Sequence, residues 1–98
     1  MPAYVITDLQ EIIDGERYER YKPLGAPTVA QYGGRFLARG GQHETLEGEP
    51  ATARVGVIEF PTMDAARAWY NSPEYVRARA QREGAIRIRF LLVEGIEG

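Results

Sequence analysis

Ninety-eight residues, 44% hydrophobic and 27% charged, make a chain of the size and composition of one globular domain, here taken as residues 1–98, with a net charge of −2. That charge supplies no general field to draw in a polyanion, so neither nucleic acid nor an anionic membrane is an expected partner. The chain has no cysteine, which excludes disulfides, thiolate nucleophiles and thiolate metal sites and fits a reducing, cytoplasmic location.

The first residues, Met1-Pro2-Ala3-Tyr4-Val5-Ile6-Thr7-Asp8, lack a basic start and soon reach an acid, so neither a signal peptide nor an anchor is expected. Tyr4-Val5-Ile6-Thr7 is β-branched and aromatic with apolar residues on both alternation faces, the pattern of a central strand. Asp14-Gly15-Glu16 then predicts an N-cap and an acidic first turn, because a carboxylate there accepts orphan N–H groups at the positive end of the helix dipole. The helix begins near Gly15 with Tyr18, Tyr21 and Tyr32 on one stripe. Pro23 is expected to kink or end its first piece near Tyr21 or Lys22, Pro27 to open a second piece, and Gly33 or Gly34 to stop it.

Arg35-Phe36-Leu37-Ala38-Arg39 alternates loosely and suits an edge strand, with Gly40-Gly41 suggesting a bulge. His43 to Pro50 can begin as a strand extension, then turns acidic and rich in breakers, and reads as an exposed hairpin loop. Arg54-Val55-Gly56-Val57-Ile58-Glu59-Phe60 is again apolar on both faces and ends at Pro61. Thr62 caps a helix that buries Met63, Ala66, Trp69 and Tyr70. Ser72-Pro73-Glu74 starts a separate helix running to about Glu83 and closed by Gly84. Arg77, Arg79 and Arg82 fall in its second half, where they complement the negative end of the dipole. The last strand, from Ala85 to Val93, puts Ile86, Ile88, Phe90 and Leu92 on one face and Arg87, Arg89, Leu91 and Val93 on the other.

The order is βαββαβ, and right-handed crossovers in each half give a four-stranded antiparallel sheet with the helices on one face and the first and third strands central. The other face carries apolar side chains, among them Leu37, Val57 or Ile58 and part of the last strand, and a sheet-to-sheet homodimer would cover them. The segments Tyr32-Gly33-Gly34-Arg35-Phe36-Leu37-Ala38-Arg39-Gly40-Gly41, Leu46-Glu47-Gly48, Glu59-Phe60-Pro61 and Trp69-Tyr70-Asn71-Ser72-Pro73-Glu74-Tyr75 together resemble the domain-of-unknown-function family 1330, small bacterial proteins similar to the dimeric α/β-barrel superfamily. The likeness runs from Tyr4 to Gly95 and implies an α+β, ferredoxin-like fold paired as a dimeric α/β barrel. The wider superfamily includes cofactor-free monooxygenases, haem-degrading enzymes, lactone isomerases and stress-responsive proteins, and a shared fold does not choose among them.

Single residues narrow the chemistry. Ser72 is the only serine and is used as a cap, His43 is the only histidine and sits in the expected loop, and Lys22 is the only lysine against eleven arginines. A serine triad, a metal site, axial haem ligation and Schiff-base chemistry are therefore not expected, and neither is any cofactor. The paired glycines lack the Gly-Lys-Ser/Thr of a phosphate loop. What remains is rich in tyrosine and arginine: Tyr18, Tyr21, Arg39, Trp69, Tyr70 and Arg89 as candidate ligand-binding residues, with Tyr75 beside them, and Glu59 and Tyr32 as candidates for proton transfer.

Two readings of these residues stand side by side. The aromatics form core with hydroxyls at the rim, and Glu59 pairs with Arg39 or Arg89; or they line a cleft between helices and sheet that takes a small aromatic or carboxylated molecule. In function the first expectation is a ligand-binding protein without chemistry of its own. The second is a cofactor-independent monooxygenase or isomerase acting on a small aromatic or lactone substrate.

Overall fold

The structure, a computed structural model, describes residues 1–49 and 53–96. Its elements are β1 (Ala3–Ile12), α1 (Gly15–Gln31), β2 (Arg35–Arg39), β3 (Arg54–Phe60), α2 (Met63–Tyr70), α3 (Pro73–Arg82) and β4 (Ile86–Glu94). The sheet order is β2-β3-β1-β4 with every neighbouring pair antiparallel, so the two runs that are apolar on both faces are the central strands. The fold is the α+β, ferredoxin-like arrangement expected from the order of elements. Pro50, the last residue of the expected loop, lies outside the described residues; His43 to Glu49 are exposed and belong to no strand or helix.

Alternation sorts the side chains cleanly. Ala3, Val5 and Leu9 of β1, Ile58 and Phe60 of β3 and Ile86 of β4 are buried under the helices. Tyr4, Ile6 and Asp8 point the other way, opposite Glu59, Val57 and Val55 on β3 and Val93, Leu91 and Arg89 on β4. Of the two expected residues on the uncovered face, Val57 is there and Ile58 is in the core. The Cα trace is a slab of 38 × 36 × 17 Å, one sheet under one layer of helices.

Two local expectations need correction. The first is the break in α1, which instead runs unbroken through both Pro23 and Pro27. Glu19, Pro23 and Pro27 lie on one exposed stripe, so the hydrogen bonds that the prolines cannot donate, to the carbonyls of Glu19 and Pro23, are lost on the side where water replaces them. A helix that curves does so convex towards solvent, and this placement suits that curvature. The second is the bulge, which lies not at Gly40-Gly41 but between Phe36 and Ala38, with a further irregularity between Leu9 and Glu11.

The arginines of α3 add to their expected role: Arg79 and Arg82 do lie in its last turn, at the negative end of the dipole, and each also reaches further. Arg79 donates to the Tyr70 carbonyl at the end of α2 (3.2 Å) and Arg82 reaches the Tyr75 hydroxyl (3.4 Å). The last carbonyls of α3 are met instead by Arg17 of α1, which donates to Gln81 (3.1 Å) and Ala80 (3.4 Å). Cross-helix donors thus bond the last carbonyls, in addition to the charge that Arg79 and Arg82 place at the negative end of the dipole.

The helix ends otherwise follow their caps. Asp14 accepts from the Arg17 amide and Thr62 from the Ala65 amide. Gly33, at φ 82°, ends α1 in a left-handed turn in which Gly34 N–H bonds to Val29 and Gly33 N–H to Ala30. Trp69, 1% exposed, is the hub of the core, with ring centroids 4.2 Å from Tyr75, 5.3 Å from Phe60 and 6.4 Å from Phe90. Ser72, 3% exposed, joins two helices: its Oγ accepts from the Tyr75 amide (3.1 Å) at the start of α3 and donates to the Trp69 carbonyl (2.7 Å) near the end of α2. Ser72→Ala is expected to cost about 1–2 kcal/mol, since a cap and a buried carbonyl partner are lost together. Thermal denaturation followed by circular dichroism measures this, and an unchanged melting temperature would contradict it.

Candidate functional site

A cleft opens between α1 and the helix-covered face of the sheet. Its floor is Thr7 and Leu9 of β1, Gly56 and Ile58 of β3 and Ile88 and Phe90 of β4. Its roof is α1, through Tyr18, Tyr21, Lys22, Gly25, Ala26 and Val29, and its inner end is Trp69 and Tyr75. The volume is about 90 Å³, well below the ~300–1,000 Å³ of sites for drug-sized ligands, so only a ring-sized body fits. Phe36, Arg39 and Arg54 complete the lining, with the Arg39 guanidinium 4.6 Å from the centre of the Phe36 ring. Three cations and no carboxylate line the cleft, in a chain whose acidic residues outnumber its basic ones.

Each side chain is there for a local reason. Tyr18 and Tyr21 share a helical stripe and stack with centroids 6.1 Å apart. Gly25 lies one turn beyond Tyr21, and a Cβ there would come within 2.9 Å of the Tyr21 ring, so this glycine gives the phenol its place in the cleft wall. Arg39 reaches the cleft because of the β2 bulge. Phe36 opposes Ile58 and Arg39 opposes Gly56, so both face the helices although their odd spacing would put them on opposite faces of a regular strand. Lys22 lies 4.8 Å from the centre of the Tyr18 ring and pairs with Glu19 at 2.9 Å.

In the wall itself is a polar group of three, Tyr21 and Tyr75 of the lining with Arg82, of which Tyr75 is buried and Tyr21 and Arg82 are half-buried. The Tyr21 and Tyr75 hydroxyls are 2.6 Å apart, and Arg82 Nη2 donates to the Tyr75 oxygen at 3.4 Å while its guanidinium lies 5.0 Å from the Tyr21 ring centre. Burial pushes the Tyr75 phenol well above the ordinary tyrosine range, reinforced by the neighbouring Tyr21 and opposed by Arg82. A second buried contact holds the inner end: Trp69 Nε1 donates to Thr28 Oγ1 (2.9 Å), which in turn donates to the Gly25 carbonyl (2.6 Å).

The structure therefore gathers Tyr18, Tyr21, Arg39 and Trp69 in one cleft and puts the other candidates elsewhere. Tyr70 packs against Trp69 and under Arg79, whose Cζ is 4.0 Å from its ring centre, outside the cleft. Arg89 is on the uncovered sheet face, 3.8 Å from Asp8. Tyr32 donates to Glu74 at 2.8 Å on the surface, a bond that raises the phenol's pKa; the carboxyl's is lowered first by the backbone N–H of Glu74 and then by this same bond.

Glu59 also lies on the uncovered face and does pair with an arginine, but with Arg35 (2.8 Å), directly opposite in the β2–β3 register, and with neither Arg39 nor Arg89. His43 is exposed, its Nδ1 3.3 Å from the Gly41 carbonyl oxygen. Among the described residues no three histidine, cysteine, aspartate or glutamate side chains form a metal-binding group, and no helix is long and apolar enough to cross a membrane.

Sequence reasoning missed Lys22, Arg54, Phe36 and Arg82. The bulge that turns Arg39 inwards and the reach of Arg82 across to α1 leave no periodic trace. Because the Glu59–Arg35 pair is largely exposed on the arginine side and lies across the sheet from the cleft, Glu59→Gln is expected to cost less than about 1 kcal/mol and to be non-additive with Arg35→Ala. It should leave any binding in the cleft unchanged. A double-mutant cycle by chemical denaturation checks the coupling, and independent, additive losses would remove the pair.

Comparison with known proteins places the chain. No curated protein sequence matches it. Solved structures do. A protein of unknown function from Rhodopseudomonas palustris is 19% identical with a TM-score of 0.77, over 99% of this chain and 84% of that one. SnoaB, a cofactor-independent oxygenase from Streptomyces nogalater, is 14% identical with a TM-score of 0.63, over 99% and 95%. A dimeric protein of unknown function and ferredoxin-like fold from Bacteroides fragilis is 15% identical with a TM-score of 0.57, over 96% and 95%. At these identities the likeness is one of fold. The family described as domain of unknown function DUF1330 matches residues 2–96, and the chain belongs to that family.

Proposed function

We propose that this protein binds a small aromatic or carboxylated molecule in the cleft between α1 and the sheet, as a cytoplasmic homodimer without chemistry of its own. The observation that carries this reading is the composition of the cleft: an apolar, ring-sized interior with Lys22, Arg39 and Arg54 in its lining and no carboxylate. Such a site favours an anionic group on a flat apolar body, Arg39 contributing attraction that a neutral hydrocarbon would not use, while Lys22 shares its charge with Glu19. Trp69 is the only tryptophan in the chain and lines the cleft, so its fluorescence reports occupancy directly. Benzoate is expected to change Trp69 emission saturably, and Arg39→Ala to weaken benzoate binding by about tenfold, equivalent to ~1.4 kcal/mol. No response at millimolar benzoate would overturn the reading.

A second reading, a cofactor-independent monooxygenase or isomerase acting on a small aromatic or lactone substrate, draws on the fold shared with SnoaB and on putative antibiotic biosynthesis monooxygenases among the similar structures. The cleft supports it less: no histidine, aspartate or glutamate lines it, and the proposed proton-transfer groups Glu59 and Tyr32 lie outside. Oxygen uptake or isomerisation with phenols and lactones would reverse the order of the two readings.

The homodimer rests on the uncovered sheet face. Ile6 lies there between Val57 and Leu91, with Tyr4 and Val93 adjoining, and Leu91 and Val93 are 46% and 48% exposed. The ion pairs Asp8–Arg89 and Glu59–Arg35 lie on the same face. A second copy covers such a face with its own equivalent, and the Bacteroides fragilis protein of this fold is described as dimeric. Light scattering is expected to give twice the chain mass, and Leu91→Glu to halve it by placing a charge against the apolar partner face. A monomer mass for the unaltered protein would refute the dimer.

A further inference from the structure

Tyr75 is 1% exposed, and its hydroxyl oxygen has two neighbours at hydrogen-bonding distance, Tyr21 Oη at 2.6 Å and Arg82 Nη2 at 3.4 Å. A guanidinium can only donate, whereas a phenol has one proton to give and can also accept. Arg82 therefore uses an acceptor site on Tyr75, and the Tyr75 proton has one acceptor among the described residues, the Tyr21 oxygen. Were Tyr21 the donor in that bond, Tyr75 would hold a buried O–H with nothing to receive it. The satisfied arrangement runs one way, from Arg82 to Tyr75 to Tyr21, with Arg82 also acting directly on the Tyr21 oxygen as a donor, and leaves the Tyr21 proton uncommitted. The Tyr21 hydroxyl lies beside Gly25, 3.1 Å from where a Cβ would stand, and both residues line the cleft.

We propose that the chain Arg82, Tyr75, Tyr21 fixes Tyr21 as a hydrogen-bond donor into the cleft, so that the site selects small aromatic molecules presenting an acceptor oxygen, a phenolate, carboxylate or carbonyl, at their buried end. Donors in series polarise one another, which strengthens the last of them. Burial keeps Tyr75 protonated, as its raised pKa requires of a permanent donor. A ligand whose buried end carries only N–H groups would set donor against donor and is excluded. Tyr75 and Arg82 are positioning residues in this scheme and Tyr21 is the contact. The inference rests on the reading of the cleft as a small-ligand site.

The test uses 4-nitrophenol, whose visible absorption reports its ionisation, with occupancy followed in parallel by Trp69 fluorescence. Bound to the unaltered protein, the probe is expected to ionise at a pH lower by about one unit than in solution, a tenfold preference for the anion. Lys22, Arg39 and Arg54 contribute to such a shift as well, so the decisive results are those of the variants. Tyr21→Phe should remove most of the shift while the probe still binds. Tyr75→Phe and Arg82→Gln, the latter outside the cleft lining, should each remove part of it and have no further effect in the Tyr21→Phe background.

A bound probe that ionises no more readily than the free one, or a shift indifferent to Tyr21→Phe, would overturn the donor assignment and leave the ligand site standing. Absence of any Trp69 response to both 4-nitrophenol and benzoate would overturn the two together. Should Tyr75→Phe fail to fold, Arg82→Gln decides the relay.

Discussion

The bond from Trp69 Nε1 to Thr28 Oγ1 is the contact on which the arrangement depends. An indole is the largest apolar body a protein can bury, but its N–H must be received somewhere, and in this core Thr28 of α1 receives it. Thr28 donates its own hydrogen bond to the Gly25 carbonyl, so α2 is tied to the C-terminal part of α1 by buried groups. That tie sets the separation between the roof and the inner end of the cleft. The Trp69 ring also spans towards the sheet through Phe60 and Phe90, so one side chain gives all three walls a common reference.

The polar elements of the core are arranged around this hub as single chains of donors. Ser72 hands a proton to the Trp69 carbonyl and takes one from the amide of Tyr75. Arg79 of α3 closes the end of α2, and Arg17 of α1 closes the end of α3. Two of the three helices, α2 and α3, thus end on an arginine of a neighbouring helix, while α1 ends on its own Gly33–Gly34 turn, and part of the cost of orphan carbonyls is offset by these donors. Three arginines, Arg17, Arg79 and Arg82, thus serve as long-range hydrogen-bond donors to backbone or to a phenol, while Arg35, Arg67, Arg87 and Arg89 pair with carboxylates. Arg's fixed fork and permanent charge suit that use better than lysine would, in keeping with the single lysine of the chain.

Much of the fold was legible because it depends on local patterns. Strands apolar on both faces had to be central, Asp14, Thr62 and Ser72 announced three helix starts, and the alternation of β4 separated Ile86, Ile88, Phe90 and Leu92 from the arginines between them. The cleft was legible only in part. Tyr18, Tyr21 and Trp69 could be assigned to it as aromatics on helical stripes, whereas Tyr70 and Arg89 satisfied the same composition yet fall outside it. Which side of an aromatic helix faces the opening is decided by packing between elements.

The bulge in β2 reverses the facing of Arg39, and register assigns Glu59 to Arg35; neither depends on local residue preference. The uninterrupted α1 shows the limit of propensity in another way. Two prolines cost their helix bonds, but on the exposed stripe that cost is shared with water, and the buried stripe of Tyr18, Gly25, Thr28 and Val29 holds the helix in place.

Those prolines give the roof of the cleft a character of its own. Between Glu19 and Pro27 the helix lacks two successive i to i−4 rungs along one side, and Gly25, the least conformationally restrained residue, lies within the same stretch. Cohesion here comes from anchors at either side, the Asp14 cap with Arg17 on α3 before it and Thr28 with the Gly33 turn after it. Bowing this stretch outward breaks fewer backbone bonds than it would in an unbroken ladder, and the Tyr21–Tyr75 bond, together with the anchors at either side, is what opposes it. The stretch so suspended carries Tyr21, Lys22, Gly25 and Ala26, which makes the cleft widest to adjust at the place where a guest would be gripped.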